Sequence, residues 1–378
     1  HGPARAGRCG GVERDDAVSR RCVDDGVAGA CELGWREAWR GVSGTPGTSG
    51  NIEYFVQLVH HESLSPPQVR VIPVPSRRYV TVTLHGGRPA AVSAAAGFIA
   101  GMAQHGITSL VKGDQLQQFA SSEGVEQLSP DNEKQSELAI VFGGDGSILR
   151  AAEWALPLDI PVLGVNLGHV GFLAELESHQ AGSLISHVVK RNYTVEERMT
   201  IDTIVTDESG TEVWRSFAVN EVSIEKLARE RMIEVLVRVD GRALSRWGTD
   251  GVLMSTPTGS TAYAFSANGP VMWPDIDALL LVPLSAHALF SRPLVIGPHS
   301  TISIEVLPSN ECNAVVWCDG RRTTDIGGGM VVTAQVGTHR LKLARISERP
   351  FVDRLVRKFA LPVDGWRGVA EREQQNAD

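Results

Sequence analysis

The chain has 378 residues, 42 per cent of them apolar, enough for two domains with cores of their own. A net charge of −8 argues against nucleic acid as a partner, because sequence-independent binding needs a basic face. The five cysteines, Cys9, Cys22, Cys31, Cys312 and Cys318, are odd in number and form no C-x-x-C pair, which excludes a disulfide framework or zinc ribbon and favours a reducing, cytoplasmic setting. The longest apolar stretch, Ala278 to Phe290, is interrupted by Pro283 and His287 and is too short to span a bilayer, so no membrane partner is expected. No apolar leader opens the sequence.

Residues 1 to about 50 are crowded with Gly, Arg and Asp and begin with His rather than Met. They are expected to form a disordered extension or to reflect a misplaced start, since such a stretch buries too little apolar surface to offset its ordering entropy. Asn51 to Pro75 is ambiguous. Order is expected from Tyr79: Tyr79 to Leu84 alternates and is β-branched, as a strand does. His85 to Pro89 reads as a turn, and the Ala-rich Ala90 to His105 as a helix. Leu138 to Phe142 is a continuous apolar run, the pattern of a buried parallel strand. A Gly-rich turn follows at 143–147, then a helix through Ile148 to Ala155 and another buried strand at Ile160 to Val165. Strand, glycine turn, helix, strand is the pattern of a doubly wound α/β domain. From about Tyr193 short alternating runs, such as Met199 to Val205, Ile233 to Val239 and Thr301 to Val306, predict a mostly β second domain. Pro350 to Phe359 predicts an amphipathic helix, with Phe351, Leu355, Val356 and Phe359 on one side, packing back onto the first domain. The expected segments are thus 1–78 (extension), 79–195 (α/β), 196–345 (mostly β) and 346–378 (C-terminal helix and tail).

Three constellations carry chemistry. Gly143-Gly144-Asp145-Gly146-Ser147 lies between a buried strand and a helix, where open α/β sheets bind ligands. Its glycines let backbone approach a phosphate, and the helix N-terminus offers free N–H groups. A carboxylate there would repel phosphate unless it accepts a proton from an attacking hydroxyl or holds a metal. The plain alternative is a tight turn with Asp145 as helix cap. Asn220-Glu221 follows the apolar run Trp214 to Val219; it suits a ribose diol or an adenine edge, or is simply a strand end facing solvent. Gly248 to Pro270 (GTDGVLMSTPTGSTAYAFSANGP) packs Gly, Ser, Thr and Pro too densely for an ordinary strand or helix. Thr256 to Thr261 offers a row of hydroxyls and N–H groups, Asp250 a carboxylate for a diol, and Ala262 to Ala267 a short helix capped by Ser260 or Thr261. Such a loop fits a dinucleotide; a polar surface loop is the alternative. No Walker-type G-x-x-x-x-G-K-[ST] loop and no H-R-D or D-F-G set is present.

Together these segments resemble the NAD kinase family, in order and spacing, over roughly Tyr79 to Gly368. The actinobacterial members look most similar, judging by the closing FVDRLVRKFALPVDGWRG. The resemblance implies an α/β N-terminal domain plus an all-β C-terminal domain, a chain end returning to the first domain, and NAD in the cleft between. It implies 2′-phosphorylation of the adenosine ribose of NAD, with ATP or polyphosphate as donor, a divalent cation such as Mg²⁺, and a homodimer or homotetramer. By motif, Asp145 would be the proton acceptor, with Gly146 beside it. Arg150 matches a basic family position on the following helix. Phe172 would lie near the adenine, and Asn220 and Glu221 would hold the adenosine. Arg231 falls where the family often has His or Arg, and Asp250 would face the nicotinamide ribose. Thr261, Ala262, Tyr263, Ala264, Phe265 and Ser266 would line the adenine and ribose pocket. Ser147 replaces a more usual Thr, and Asn268 a common Gly whose positive φ Asn tolerates. Diacylglycerol and sphingosine kinases also resemble the GGDG turn, but carry an Asn-Glu pair within a few residues, where Ile148 to Ala152 stands here. Phosphofructokinases share GGDGS, yet their T-I-D-N-D segment is missing. A dinucleotide sensor without catalysis is the rival of a different class.

Overall fold

The computed structural model describes residues 35–42, 54–60, 77–84, 88–166, 171–177, 181–228, 231–308, 313–347 and 350–362. The chain divides into two units, residues 1–76 and 77–378. In the first, an antiparallel hairpin pairs Trp35–Val42 with Tyr54–His60. This departs from the expectation of a structureless extension. The run Tyr54-Phe55-Val56-Gln57-Leu58-Val59 is rich in aromatic and β-branched residues, and that local preference prevails over the Gly- and Arg-rich surroundings. The turn expected at 85–87 and all cysteines except Cys318 lie outside the described residues.

The second unit begins with a largely parallel sheet. From one edge its strands run Val125–Gln127, Ile107–Val111, Arg78–Leu84, Ser136–Phe142, Val162–Asn166, Leu341–Arg345 and Thr194–Arg198. Every pairing is parallel up to the last, which is antiparallel. The continuous apolar run in Ser136–Phe142 follows from burial on both faces. Leu138, Ile140 and Phe142 pack with Phe98, Ile99 and Met102 of the helix Pro89–Gln104 and with Leu184 and Val188 of the helix Ala181–Lys190. Ala139 and Val141 turn the other way, onto Ile148, Ala152 and Ala155 of the helix Asp145–Ala155.

The chain leaves this sheet through Thr194–Arg198 and re-enters it through Leu341–Arg345. The domain border expected at 195/196 therefore falls inside a first-sheet strand, and that at 345/346 assigns another first-sheet strand to the second domain. Alternation marks a strand but not the sheet it joins.

Between these strands lies a sandwich of two six-stranded antiparallel sheets. Val222, Ile224, Val252 and Met254 of one sheet share a core with Ile201, Val235, Ile304 and the fully buried Trp247 of the other. The strand Gly251–Ser255 is buried throughout, because its alternate residue Leu253 packs outward with Ala264, Met272 and Leu280. The Gly-, Ser- and Thr-rich loop thus forms a third layer over this sheet.

The C-terminal helix spans Phe351–Phe359. Phe351 and Phe359 each place a ring centroid 5.8 Å from that of Phe172 in the first domain. Phe359 also lies 4.5 Å from Phe265, and Phe351 5.2 Å from Trp273. The helix packs on the first domain, as expected, and also reaches the loop of the second, through Phe359 on Phe265 and Phe351 on Trp273. Among the described residues no helix is long and apolar enough to cross a membrane.

Candidate active site

The glycine turn closes the carboxyl end of the central strands: Gly143 N–H donates to Val165 O at 2.9 Å. Gly144 is the N-cap of the helix that follows, and Asp145 is its first residue. Asp145 therefore does not occupy the cap position, and its carboxylate reaches across the loop. It accepts the N–H of Phe172 at 2.9 Å and of Leu173 at 3.0 Å. Gly171 makes this possible, since a Cβ there would stand 2.3 Å from Asp145 Oδ1. A Cβ at Gly144 or Gly146 would meet nothing within 4 Å, so the outer side of the turn is open. A carboxylate has about four lone-pair sites, and two remain for a ligand.

Arg150 is exposed on the same helix, five residues on and about 140° around its axis, so the helix does not bring it to the Asp145 carboxylate. Phe172 is only 8 % exposed, and its ring is enclosed by the aromatic residues of the C-terminal helix.

The second and third constellations meet. Thr256 N–H donates to Asn220 O at 2.9 Å, and Thr256 Oγ1 to Val219 O at 2.6 Å. Ser255 Oγ also donates to Asn220 O, at 3.1 Å. The turn sits so close that a Cβ on Gly259 would lie 2.0 Å from Asn220 O. Gly259→Ala must therefore push two backbone segments apart. We expect a loss of about 1–3 kcal/mol in urea unfolding, with a weaker dinucleotide affinity in calorimetry; wild-type values for both would disprove the close seating. A turn of 3₁₀ helix, Gly259–Thr261, then leads into the short helix Tyr263–Ser266. Neither Ser260 nor Thr261 caps it, contrary to expectation. Ser260 Oγ instead pairs with Pro257 O at 2.7 Å and Met272 N at 2.8 Å, and Thr261 Oγ1 donates to Thr258 O at 3.2 Å. Ala264 faces the core, while Tyr263, Phe265 and Ser266 are exposed and Thr261 and Ala262 half-buried. Asn268 takes φ +62°, as its substitution for glycine requires.

Glu221 is buried; one carboxylate oxygen, Oε2, has no protein partner. Burial, and then the charge of Asp319, push its carboxyl up to about 8, against a lowering by the N–H of Tyr263. Asp319 is the better hydrogen-bonded of the pair, although its side chain is only 1% exposed. Its carboxylate accepts Val219 N–H at 3.0 Å, Asn220 N–H at 2.7 Å and Arg322 Nη2 at 2.7 Å; burial still leaves its carboxyl raised, and these donors offset only part of that push. Sequence reasoning missed Asp319: Asp319-Gly320 at positive φ is a hairpin signal, and nothing local shows that its carboxylate folds back onto residues a hundred positions earlier. The same hairpin ties the sandwich to the glycine-turn helix, through Arg321 Nε at 2.6 Å and Arg322 Nη1 at 3.2 Å from Glu153. The neighbouring Cys318 thiol is pushed up to about 12 by burial and offers no nucleophile.

Asp250 pairs with Lys226 Nζ at 2.5 Å and lines a cleft of about 790 Å³ with Tyr263, Ser266, Asn268 and Arg292. Arg231 is exposed just before the strand Ile233–Val239 and does not line this cleft. Lys226 and Arg292 were not singled out from sequence, where isolated basic residues carry no spacing signal.

A parallel α/β domain with a carboxylate-bearing glycine turn, and a β-sandwich carrying a hydroxyl-rich loop over a buried carboxyl, define a two-domain nucleotide-binding protein. Residues 93–193 match the ATP-NAD kinase N-terminal domain family and residues 219–346 the ATP-NAD kinase C-terminal domain family. An NAD kinase of Cutibacterium acnes is 52% identical over 297 residues, covering 78% of this chain and 93% of its own. One from Thermobifida fusca is 47% identical over 308 residues, covering 79% and 94%. The chain belongs to the NAD kinase family. Among solved structures, yeast NADH kinase complexed with NADH superposes with a TM-score of 0.69 at 20% identity, over 76% of this chain and 88% of that one. An Archaeoglobus fulgidus NAD kinase in complex with ATP gives 0.55 at 22% identity, over 76% and 100%; both likenesses concern the fold.

Proposed function

We propose that this chain is an NAD kinase, a phosphotransferase that moves the γ-phosphoryl group of ATP to the 2′-hydroxyl of the adenosine ribose of NAD, giving NADP and ADP. The observation that carries the reading is the Asp145 carboxylate. It is fixed by two peptide N–H groups at a helix N-terminus, beside glycines that leave its outer side open.

In the transfer, the ribose O2′–P bond forms as the bond from the γ-phosphorus to the β,γ-bridging oxygen breaks. The hydroxyl proton passes to Asp145 and then to solvent. Such a transition state asks for positioning and charge neutralisation more than covalent help. The fixed carboxylate supplies position, and the helix N-terminus supplies N–H groups for phosphate oxygens. Glu221, with its unpartnered oxygen, and Asn220 would hold the ribose and adenine, and Tyr263 to Ser266 would line the pocket. Asp250 and the adjacent cleft would take the nicotinamide ribose.

Among the described residues no three His, Cys, Asp or Glu side chains converge as a metal cage. We propose Mg²⁺ carried on the donor's phosphates, with Asp145 the protein carboxylate that would join its shell. The cation would offset phosphate charge. The reading also places the enzyme in the cytoplasm as a homodimer or homotetramer, which sedimentation equilibrium would measure.

The test is to supply NAD, Mg²⁺ and either ATP or polyphosphate, and to follow NADP with an NADP-specific dehydrogenase. NADP formation is expected. If a folded protein binds NAD in calorimetry but makes no NADP with either donor, the chain is a dinucleotide sensor.

A further inference from the structure

The loop that holds Asp145 is itself held from behind. The peptide group joining Phe172 to Leu173 is bonded at both ends. Its N–H, that of Leu173, donates to Asp145 Oδ1 at 3.0 Å, and its carbonyl, that of Phe172, accepts Arg354 Nη1 at 2.9 Å. The next carbonyl, Leu173 O, accepts Arg345 Nη1 at 3.0 Å. Both guanidinium groups converge on Glu175 Oε2 at 3.1 Å, and Glu175 Oε1 accepts Ser347 N–H at 2.8 Å and Ser347 Oγ at 2.6 Å. Glu175, Arg345 and Arg354 have side chains only 1%, 2% and 11% exposed. Arg345 Nε also reaches Glu196, which Arg198 shares. Three guanidinium groups thus meet two carboxylates, leaving one positive charge over, with Asp145 across the peptide group.

We propose that Arg354 of the C-terminal helix is a positioning residue for the catalytic base. Through the peptide group between Phe172 and Leu173 it fixes and polarises the N–H that holds Asp145. This rests on the kinase reading above.

The physical basis is direct. In a trans peptide the carbonyl and N–H point opposite ways, so a cation on the oxygen and an anion on the hydrogen both align with its dipole and strengthen each other. A planar fork bonding Phe172 O and Glu175 together is a task for Arg rather than Lys. Arg354 lies beyond both family-matched segments, so the last helix completes a device whose other parts lie in the first-sheet domain. Phe351 and Phe359 dock that helix on Phe172, which keeps the guanidinium in place.

The test compares wild type with R354M and R354K, measuring kcat and KM for NAD and hydrogen exchange at the Leu173 amide. R354M is expected to lower kcat about 10- to 100-fold with KM for NAD within about 3-fold, since misplacing a reacting group by about 1 Å costs on the order of 10²-fold. The Leu173 amide should exchange about tenfold faster in R354M while amides of the strand Ser136–Phe142 stay protected, the signature of a local opening. R354K, which keeps the charge but loses the fork, should recover part of kcat. A merely structural helix anchor would lower the melting temperature without this split. Wild-type kcat in R354M, a change confined to KM, or unaltered Leu173 exchange would each overturn the proposal. If wild type makes no NADP, the kinase reading has failed, and Leu173 exchange alone decides whether Arg354 fixes the loop. If R354M does not fold, R354K is read against the same criteria.

Discussion

Asp145→Asn is expected to lower kcat for NADP formation about 10²–10⁴-fold, the usual consequence of removing a positioned base. NAD affinity should stay within a few-fold, because the proposed ribose and adenine contacts lie on Asn220, Glu221 and the loop after Ser255. The variant carries a separable structural penalty. The carboxylate accepts N–H groups from both Phe172 and Leu173, whereas an amide offers one oxygen and sets its NH₂ against the other N–H. Leaving that group unsatisfied costs about 1–3 kcal/mol. Single-turnover kinetics, calorimetry with NAD and urea unfolding separate the effects. A variant that is destabilised yet turns over within about 3-fold of wild type would show that Asp145 organises the loop and takes no proton.

Glu221→Gln should stabilise the protein and weaken its grip on the substrate. The Glu221 carboxyl is pushed from 4.5 up to about 8 in the folded chain, first by burial and then by Asp319. Between these values the folded protein binds a proton that the unfolded chain has released. Stability therefore falls as pH rises from about 4.5 to about 8, at up to roughly 1.4 kcal/mol per unit, and is level above. Gln removes that slope. The variant should match wild type near pH 4.5 and exceed it by a few kcal/mol at pH 8 in urea unfolding. If the ionised carboxyl is the form that accepts the ribose hydroxyls, NAD binding releases a proton. Wild-type affinity then strengthens toward pH 8, and the Gln variant binds more weakly with little pH dependence. Calorimetry in two buffers of different ionisation enthalpy counts that proton. Parallel stability curves for the two proteins would mean that Glu221 is ionised in the free enzyme.

These expectations also separate two kinds of sequence information. Short-range signals were sufficient wherever the physics is short-range. The apolar run ending at Phe142, the glycines of 143–146 and the helix that follows specify a strand, a tight turn and an N-terminus in consecutive residues. The density of Gly, Ser, Thr and Pro in 256–261 likewise marks a turn in consecutive residues, although its seating against Asn220 O is a tertiary contact. The positive φ of Asn268 follows from the tolerance of Asn for that conformation. The hairpin escapes a compositional reading of residues 1 to about 50, which covers the strand Trp35–Val42, while the strand-forming run Tyr54 to Val59 lies in the segment left ambiguous.

What the tertiary structure decided is long-range pairing of charge and aromatic surface. Asp319 serves Val219 and Asn220, Glu153 meets Arg321 and Arg322, and Arg345 and Arg354 enclose Glu175, all between residues about 100 or more positions apart in the chain. No periodicity encodes such partners, because a buried charge is satisfied by whatever the fold brings beside it. Phe172 shows the same limit. Its identity is visible in the sequence, but its enclosure by Phe351 and Phe359 depends on where the last helix docks. The sequence by itself determined the turn, the loop and the family of this protein, since these are written in contiguous residues. Only the tertiary structure decided what holds Asp145 in place and raises Glu221, since those contacts join residues far apart in the chain.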